Sequence, residues 1–512
     1  MKHASRLLKI LPCAGLVITA LNCGSNGAAP DGSMVSVGGQ GAKMGVPDGG
    51  QTSDAGPDAT PPPDGAVASG CSDLFDDSQV VSYSIDISAD QWAAMEVEFQ
   101  NIAALQAGED FAVYHPITLH YGNETVTDAE IKLHGQSSWV QTVQYDGAKA
   151  KMQFNISFDQ QNPSGKFHGV SKLTFDMPRA DWTFLNNRVA QHWLRQVGIL
   201  APCSTSARLT INGAYYGLYV LEDSVGGQVV QQFFPQNPNG DLWKGASEIE
   251  TNQTDPNYTR LHQFTNAADL SSLAAIVDIP NSLTSWAAEA MLNDADGYYG
   301  GMHNFYIYDQ GAAGFVFLPE DTDSLLEWMY LFDRVDASDH PIYWWFDRDQ
   351  PAPNPGDKWL IVLNDPTWRA RYTQALAAMI SKWNVAQLQG WITTWSQQIA
   401  DSVATDPHAW ATPAEFQTAI ADDLDVVAKR PVYLQTFIDC ENGVPTQATD
   451  GDGDGYKWCD ECDDKSASVN PGAPEICGNG IDDNCNGFVD EGCPATVPDA
   501  GGANADGGAM GH

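Results

Sequence analysis

The sequence predicts an α+β fold followed by a small Cys-rich calcium-binding module, and three observations carry that reading. Between Cys71 and Glu222, short runs alternate apolar and polar residues with the period of two that strands require. Beyond Asp323 the pattern turns helical and Trp-rich, over 366–380, 385–403 and 413–429. Six of the ten cysteines then crowd between Cys440 and Cys493, around an Asp-Gly repeat.

The elements follow in chain order. Lys2, Arg6 and Lys9 precede an apolar stretch from Ile10 to Leu21, the arrangement of an export signal and too short to span a bilayer comfortably. Cleavage before Cys23 would leave a lipidated N-terminus, although Asn22 fits that cleavage pattern imperfectly, so residues 1–23 read as a signal peptide with a lipobox or simple secretion. Residues 24–70 are dominated by Gly, Pro, Ala, Asp and Ser and hold no aromatic residue. Such a linker cannot bury enough apolar surface to offset its chain entropy and is expected to be disordered, reaching roughly 35–40 Å. The tail 494–512 has the same composition.

The folded domain, 71–439, is expected to open with the strand VVSYSIDIS and a helix from Ala89 to Leu105 that Ser88 caps. Strands follow at Ile117–Tyr121, Ala129–Leu133 and from Lys151 onward. A helix spans Phe184–Gly198, with Trp193 on its apolar face as a core residue. Asn212-Gly213 supplies the turn of a hairpin between ARLTI and YYGLYVLE. The pair Trp344-Trp345 lines a substrate groove or, more simply, packs inside.

In an exported chain, the cysteines of 440–493 imply disulfides that staple a module too small for its own core. Cys459-x-x-Cys462 also has zinc-ligand spacing, and Cys71 and Cys203 are left to pair in the larger domain. DGDGDGYKWCDE places Asp450, Asp452 and Asp454 at positions 1, 3 and 5 of a twelve-residue calcium loop. Gly455 is at 6, the Tyr456 carbonyl at 7 and Glu461 at 12. The rival is a solvated acidic turn. Asp482, Asn484, Asn486, Gly487 and Asp490 repeat the rhythm loosely, without the closing acid. The pieces together resemble the metal-binding repeat of exported bacterial proteins, over about Asp450 to Cys493.

The chemistry concentrates in NDADGYYGGMHNFYIY and FVFLPEDTDS, which set Asp296, His303, Asn304, Asp321 and Asp323 around strand-like segments. Protein kinases use the same order, an Asp, then an Asn, then an Asp after the next strand. The first faces the acceptor hydroxyl and the others hold Mg²⁺. The alternative makes Asp294, Asp296 and Asn304 turn residues of a Gly-rich hairpin.

From about Ser82 to Ser324 the chain resembles the CotH family, the spore-coat protein H kinases. The likeness is carried in order by HGQSSW, KMQFNISF, GVSKLTFDMPRADWTFLNNRVAQHWLRQVGILAP, INGAYYGLYVLED, GDLWKG, DGYYGGMHNFYIY and PEDTD. It implies an atypical protein-kinase-like, two-lobed domain that uses ATP with Mg²⁺ or Mn²⁺ to phosphorylate Ser or Thr of a secreted or surface protein. Asp296 matches the catalytic Asp and Asp321 the metal-binding Asp, with Asn304 and Asp323 as further metal or phosphate contacts. Lys151 matches a lysine that meets the nucleotide phosphates, or else is a solvated strand-end charge, and Glu222 matches an acid that orients such a lysine. Three positions depart from the family pattern. Glu320 precedes Asp321 where Trp is usual, Asn186 stands where Arg is usual with Arg188 nearby, and His134-Gly135 replaces Arg-Gly.

Length and charge bound the rest. The 512 residues leave room for two or three domains, and 43% hydrophobic content supports a sizeable core. A formal charge of −41, from 66 acidic against 25 basic residues, excludes nucleic acid as a natural partner and favours cations or basic proteins. It also requires Lys151, Lys172, Arg179, Arg188 and Lys244 to converge if an anionic nucleotide is to bind. The other reading is a catalytically inactive surface protein, structural or adhesin-like, that retains the fold. Oligomeric state is not encoded in these patterns.

Overall fold

The structure is a computed structural model that describes residues 70–179, 181–294, 297–298, 303–323, 358–461, 463–479, 481 and 483–485. Its first layer is a closed barrel of seven strands. These are β1 (Val81–Asp86), β2 (His115–Tyr121), β3 (Glu124–His134), β4 (Gln153–Ser157), β5 (Lys172–Asp176), β6 (Ser204–Ile211) and β7 (Ala214–Asp223). The order around the barrel is β1-β2-β3-β4-β5-β7-β6, closed by parallel pairing of β1 with β6, while the other neighbours run antiparallel. Alternation fills the interior with Tyr83, Leu119, Ile131, Phe154, Phe175 and Leu221. The same alternation turns His134, Asn155, Thr174, Asp176 and Glu222 to the outer face. The β6–β7 turn has Asn212 and Gly213 at φ 50° and 82°, the left-handed pair expected of Asn-Gly.

Helix α1 (Ala89–Phe99) starts on the Ser88 cap, as expected, but ends at Phe99 rather than running on to Leu105: a second short helix, α2 (Ile102–Gln106), begins where the Asn101 side chain accepts the Ala104 N–H. An Asx cap inside the apolar period thus divides what periodicity alone reads as one helix. Next come α3 (Ser137–Tyr145) and α4 (Asn186–Val197), which ends on left-handed Gly198. Helix α4 packs on the barrel exterior, where Arg188 bonds Ser206 at 3.1 Å and Asp77 at 2.8 Å. Trp193 is 1% exposed, a core residue as expected.

A second sheet has the order β11-β10-β8-β9, from β8 (Leu242–Lys244), β9 (Glu248–Ile249), β10 (Phe305–Asp309) and β11 (Phe315–Pro319). Around it lie α5 (Gly227–Phe233), α6 (Tyr258–Thr265), α7 (Leu270–Ala274), α8 (Ile279–Leu292), α9 (Lys358–Leu363), α10 (Pro366–Lys382), α11 (Val385–Thr405) and α12 (Pro413–Glu441). Their shared core includes Trp286, Phe317, Trp359, Leu376, Ile392 and Val427. Helix α12 runs past Lys429 and through Pro431 to Glu441, so Cys440 belongs to this helix and the boundary expected at 439/440 falls inside it. Buried Leu434, Phe437 and Cys440 continue its apolar face and hold the added turns in place.

Cys71 and Cys203 are joined across the barrel edge, and Cys440 is joined to Cys459. Cys459 is therefore no zinc thiolate. Cys477 and Cys485 are disulfide-bonded too. No described helix is long and apolar enough to cross a membrane. The signal, linker and tail expectations for 1–69 and 494–512, and Trp344-Trp345, lie outside the described residues.

Candidate functional site

The β10–β11 hairpin brings two of the expected site residues to one edge. Phe305 pairs with Pro319, so Asn304 and Glu320 flank the same end, and the Glu320 N–H donates to the Asn304 carbonyl at 2.8 Å. Asn304 and Asp321 both take left-handed backbone, at φ 44° and 47°. Each such residue costs on the order of 1 kcal/mol, least for Asn and Asp, and the cost is characteristically borne where a side chain must be aimed.

Facing that edge is the outer surface of the barrel. The Asn187 side chain of α4 donates to Asp176 at 3.1 Å, accepts from the Thr322 hydroxyl at 3.1 Å and also holds Asp321. Gln153 donates to the other Asp176 oxygen at 2.8 Å. Gly135 is needed here, because a Cβ would collide with the Gln153 amide. Glu222 lies diagonal to Asp176 on the sheet, since Thr174 opposes Glu222, and accepts from Gln191 at 2.6 Å. Asp176, Glu222 and Asp321 thus look into one cleft.

Crowding shows in their protonation. Burial, then the neighbouring Asp321, pushes Asp176 up to about 8. Burial and then Asp176 raise Glu222 well above the carboxylate range. Desolvation by the surrounding protein raises Asp321, with Lys244 and Asn187 pulling the other way. Burial pushes Glu320 up to about 7 against the attraction of Lys244. His134, set in the altered early loop, is driven down to about 4 by burial and by Lys244, Lys172 and Lys132, so it is neutral at pH 7.

Glu320 does not simply add charge to the cleft. Its carboxylate bonds Lys244 at 2.6 Å, a lysine that also feels Asp321. Of the five cations whose convergence nucleotide binding requires, Lys244 and Lys172 reach this neighbourhood, both acting on Glu250 and His134. Arg179 is held by Asp146 at 2.6 Å, and Arg188 by Asp77 with its guanidinium over Trp395.

Lys151 corrects the sequence reading. It precedes β4 and is 1% exposed, with its ammonium 2.8 Å from Asp406 at the end of α11 and 2.5 Å from the Leu218 carbonyl. Tyr219 and Trp410 rings cover it at 4.4 and 5.2 Å. Glu222 does not orient it, because Leu218 and Glu222 are four residues, about 13 Å, apart along β7. The ammonium is neither a solvated strand-end charge nor turned to the acidic cleft. Lys151 instead joins the barrel to α11. The signal that could have found its partner, Asp406 ahead of Pro407, is 255 residues away in sequence.

Asp296 lies outside the described residues. Asp323 is half-buried, and its carbonyl accepts from Asn186 at 3.4 Å, so the Arg-to-Asn departure lands on backbone support of the acidic loop. Asp176, Asn187 and Gln191 were missed by sequence reasoning. Only their place on the outward face of β5 and the inner face of α4 distinguishes them from ordinary polar residues.

In the Cys-rich segment, Asp450, Asp452 and Asp454 bring carboxylate oxygens within 4.8 Å of one another. Gly453 and Gly455 N–H groups donate to Asp450 at 2.6 and 2.9 Å, and the Tyr456 N–H donates to Asp454 at 2.9 Å, which winds the loop tightly. Glu461 is 2% exposed and both of its oxygens lack a hydrogen-bond partner, as do Asp452 Oδ2 and Asp454 Oδ2. Burial, with Asp464, Asp454 and Asp452 around it, pushes Glu461 up to about 8. Orphaned buried carboxylates facing one another require a cation or protons. Of the second, looser loop, Asp482, Asn486, Gly487 and Asp490 lie outside the described residues.

A barrel joined to a helical region, with an acidic, Asn-bearing hairpin edge at the cleft, is the class defined by fold and site. The family model described as "CotH kinase protein" matches residues 131–438, more than half of the chain. The chain belongs to the CotH kinase family. A second family model, described as "Putative metal-binding motif", matches residues 461–491. No curated protein matches the chain.

Proposed function

We propose that this chain is an exported, two-lobed phosphotransferase that uses ATP with Mg²⁺ or Mn²⁺ to phosphorylate Ser or Thr hydroxyls of a secreted or surface protein. The observation that carries the reading is the meeting of Asn304 and Asp321 at one hairpin edge, opposite Asp176 and Glu222. Their oxygens are the donors a hard cation takes, and the raised carboxylate pKa values mark a place where positive charge is missing. The donor set therefore fits a divalent ion. Such an ion supplies charge neutralisation for a transferring phosphoryl group.

The remaining work belongs to the chain. Asp321 and Asn304 offer first oxygens to the ion, with Asp323 beside them. Asn187 holds Asp321 and Asp176 in a fixed relation. Lys244 and Lys172 supply the nearby positive charge for phosphate oxygens, and Lys244 exchanges its Glu320 contact to do so. Asp296 accepts the proton of the attacking hydroxyl. Residues 1–23 direct export, with Cys23 as the lipid anchor site. In the C-terminal segment, Asp450, Asp452, Asp454, Glu461 and the Tyr456 carbonyl form a calcium site, because an all-oxygen set suits a hard cation rather than a soft one.

A specific observation favours the second reading, a non-catalytic surface protein. Lys151, Arg179 and Arg188 are each occupied by an internal carboxylate. Incubating purified protein with labelled ATP, Mg²⁺ or Mn²⁺ and a Ser- and Lys-rich acceptor separates the two. Transfer by the wild type, lowered about 100-fold in Asp296→Asn, supports the kinase. No label above a protein-free control supports the inactive fold.

A further inference from the structure

The cation loop is built around a segment bolted to the helical region. Between its two halves, Asp450–Asp454 and Glu461, runs Tyr456–Asp460. Cys459 is disulfide-bonded to Cys440 in the last turn of α12. Lys457 donates to the Cys440 carbonyl at 3.2 Å, and Trp458 lies against Phe437 and Tyr433 of the same helix. From α10, Arg369 bonds Glu441 at 2.6 Å, the Cys459 carbonyl at 3.0 Å and Asp460 at 3.4 Å. One arginine therefore ties α10, α12 and the residue next to Glu461.

A fifth acid enters the loop from outside the twelve-residue frame. Asp464 accepts the Gly451 N–H at 2.7 Å and lies against Glu461. Only glycine at 451 permits this approach, since a Cβ there would fall 2.5 Å from Asp464 Oδ2. Glu461, buried with both oxygens unpartnered, is aimed into the same cluster.

We infer that Asp464 completes the calcium site and that a bound calcium ion, by drawing Glu461 and Asp464 onto Asp452 and Asp454, locks the Cys459–Arg369 junction and stabilises α10 and α12. The inference rests on the calcium reading above. Without the ion, repulsion among the acids is discharged by opening the loop, and the opening is transmitted one residue away to Asp460 and Arg369. With the ion, the loop, the disulfide and the arginine contacts behave as one cooperative unit. Calcium thereby becomes a structural effector of the helical region that carries half of the cleft.

The test uses the full chain, disulfides intact, in saturating Ca²⁺ or in EDTA. Calorimetry reads binding, and amide hydrogen exchange reads 366–382 and 433–441. With calcium a hundredfold above its Kd, amides that open only with the junction should exchange about 100-fold more slowly. Asp464→Asn should weaken calcium binding by about tenfold or more. Arg369→Gln should keep calcium binding but lose the slowing in 366–382. Calcium binding with protection confined to 450–464 overturns the coupling and leaves the calcium reading standing. Absence of calcium binding overturns both, and wild-type affinity in Asp464→Asn removes Asp464 from the site.

Discussion

Replacing Asp406 with Asn tests what Lys151 does. In the folded chain the Lys151 ammonium and Asp406 carboxylate are 1% and 0% exposed and 2.8 Å apart. Asp406 also accepts the Leu218 N–H at 2.8 Å and the His408 N–H at 2.7 Å. Asn keeps an acceptor for a backbone donor but leaves the ammonium with only the Leu218 carbonyl and two ring faces. Stranding a buried charge in this way costs about 3–5 kcal/mol. By the usual per-residue unfolding entropy, a folded domain the size of 71–439 should melt about 4–6 °C lower. Lys151→Met should also be destabilising, and the double variant Lys151→Met/Asp406→Asn should recover much of the loss, because no buried charge remains. Calorimetric melts of the four proteins, with nucleotide affinity measured alongside, make the cycle. An Asp406→Asn protein as stable as wild type refutes the reasoning. A Lys151→Met protein with unchanged melting but lost ATP affinity would return Lys151 to the phosphates.

The cleft acids give a pH signature: Asp176, raised to about 8, and Glu320, raised to about 7, keep protons that the unfolded chain releases near pH 4. Their stabilisation is whole below that pH and lost as pH climbs through 7 and 8, so in EDTA the melting temperature of wild type relative to Asp176→Asn should fall over that range, and a difference that rises contradicts the assignment. Cys203→Ser opens a bridge spanning 132 residues and should cost about 2–5 kcal/mol in denaturant titrations, with an unchanged midpoint as the refuting result. Cys23→Ser should move the protein from the membrane fraction to the soluble exported fraction, since two acyl chains at about 0.8 kcal/mol per methylene are lost, and identical fractionation defeats the lipid anchor.

Strand and helix positions were legible wherever periodicity and punctuation agreed. Asn212-Gly213 marked its hairpin, Ser88 its helix, and the alternation of β1 its buried face. Barrel closure was not legible, because the parallel pairing of β1 with β6 is a tertiary choice that neither strand's pattern records. The same holds for the site. Asn304 and Asp321 share an edge that their spacing suggested, and the loop acids Asp450, Asp452 and Asp454 lie together, with Glu461 buried nearby. Asp176, Asn187 and Gln191 stayed hidden, since a polar residue facing outward from a strand looks solvated until another layer covers it. Lys151 misled for the converse reason: its partner Asp406 arrives from a distant helix and converts a strand-end lysine into a buried strut.

The central claim is that the cleft between the barrel and the β10–β11 edge takes nucleotide with a divalent ion through Asp321. Equilibrium binding of Mn²⁺·ATP, followed by the electron paramagnetic resonance of Mn²⁺ in the presence of excess Ca²⁺, tests it most directly. The account predicts that wild type and Glu461→Gln bind Mn²⁺·ATP alike, whereas Asp321→Ala loses nucleotide-dependent Mn²⁺ binding while melting normally. Undiminished Mn²⁺·ATP binding by Asp321→Ala, or loss of binding in Glu461→Gln alone, would contradict it.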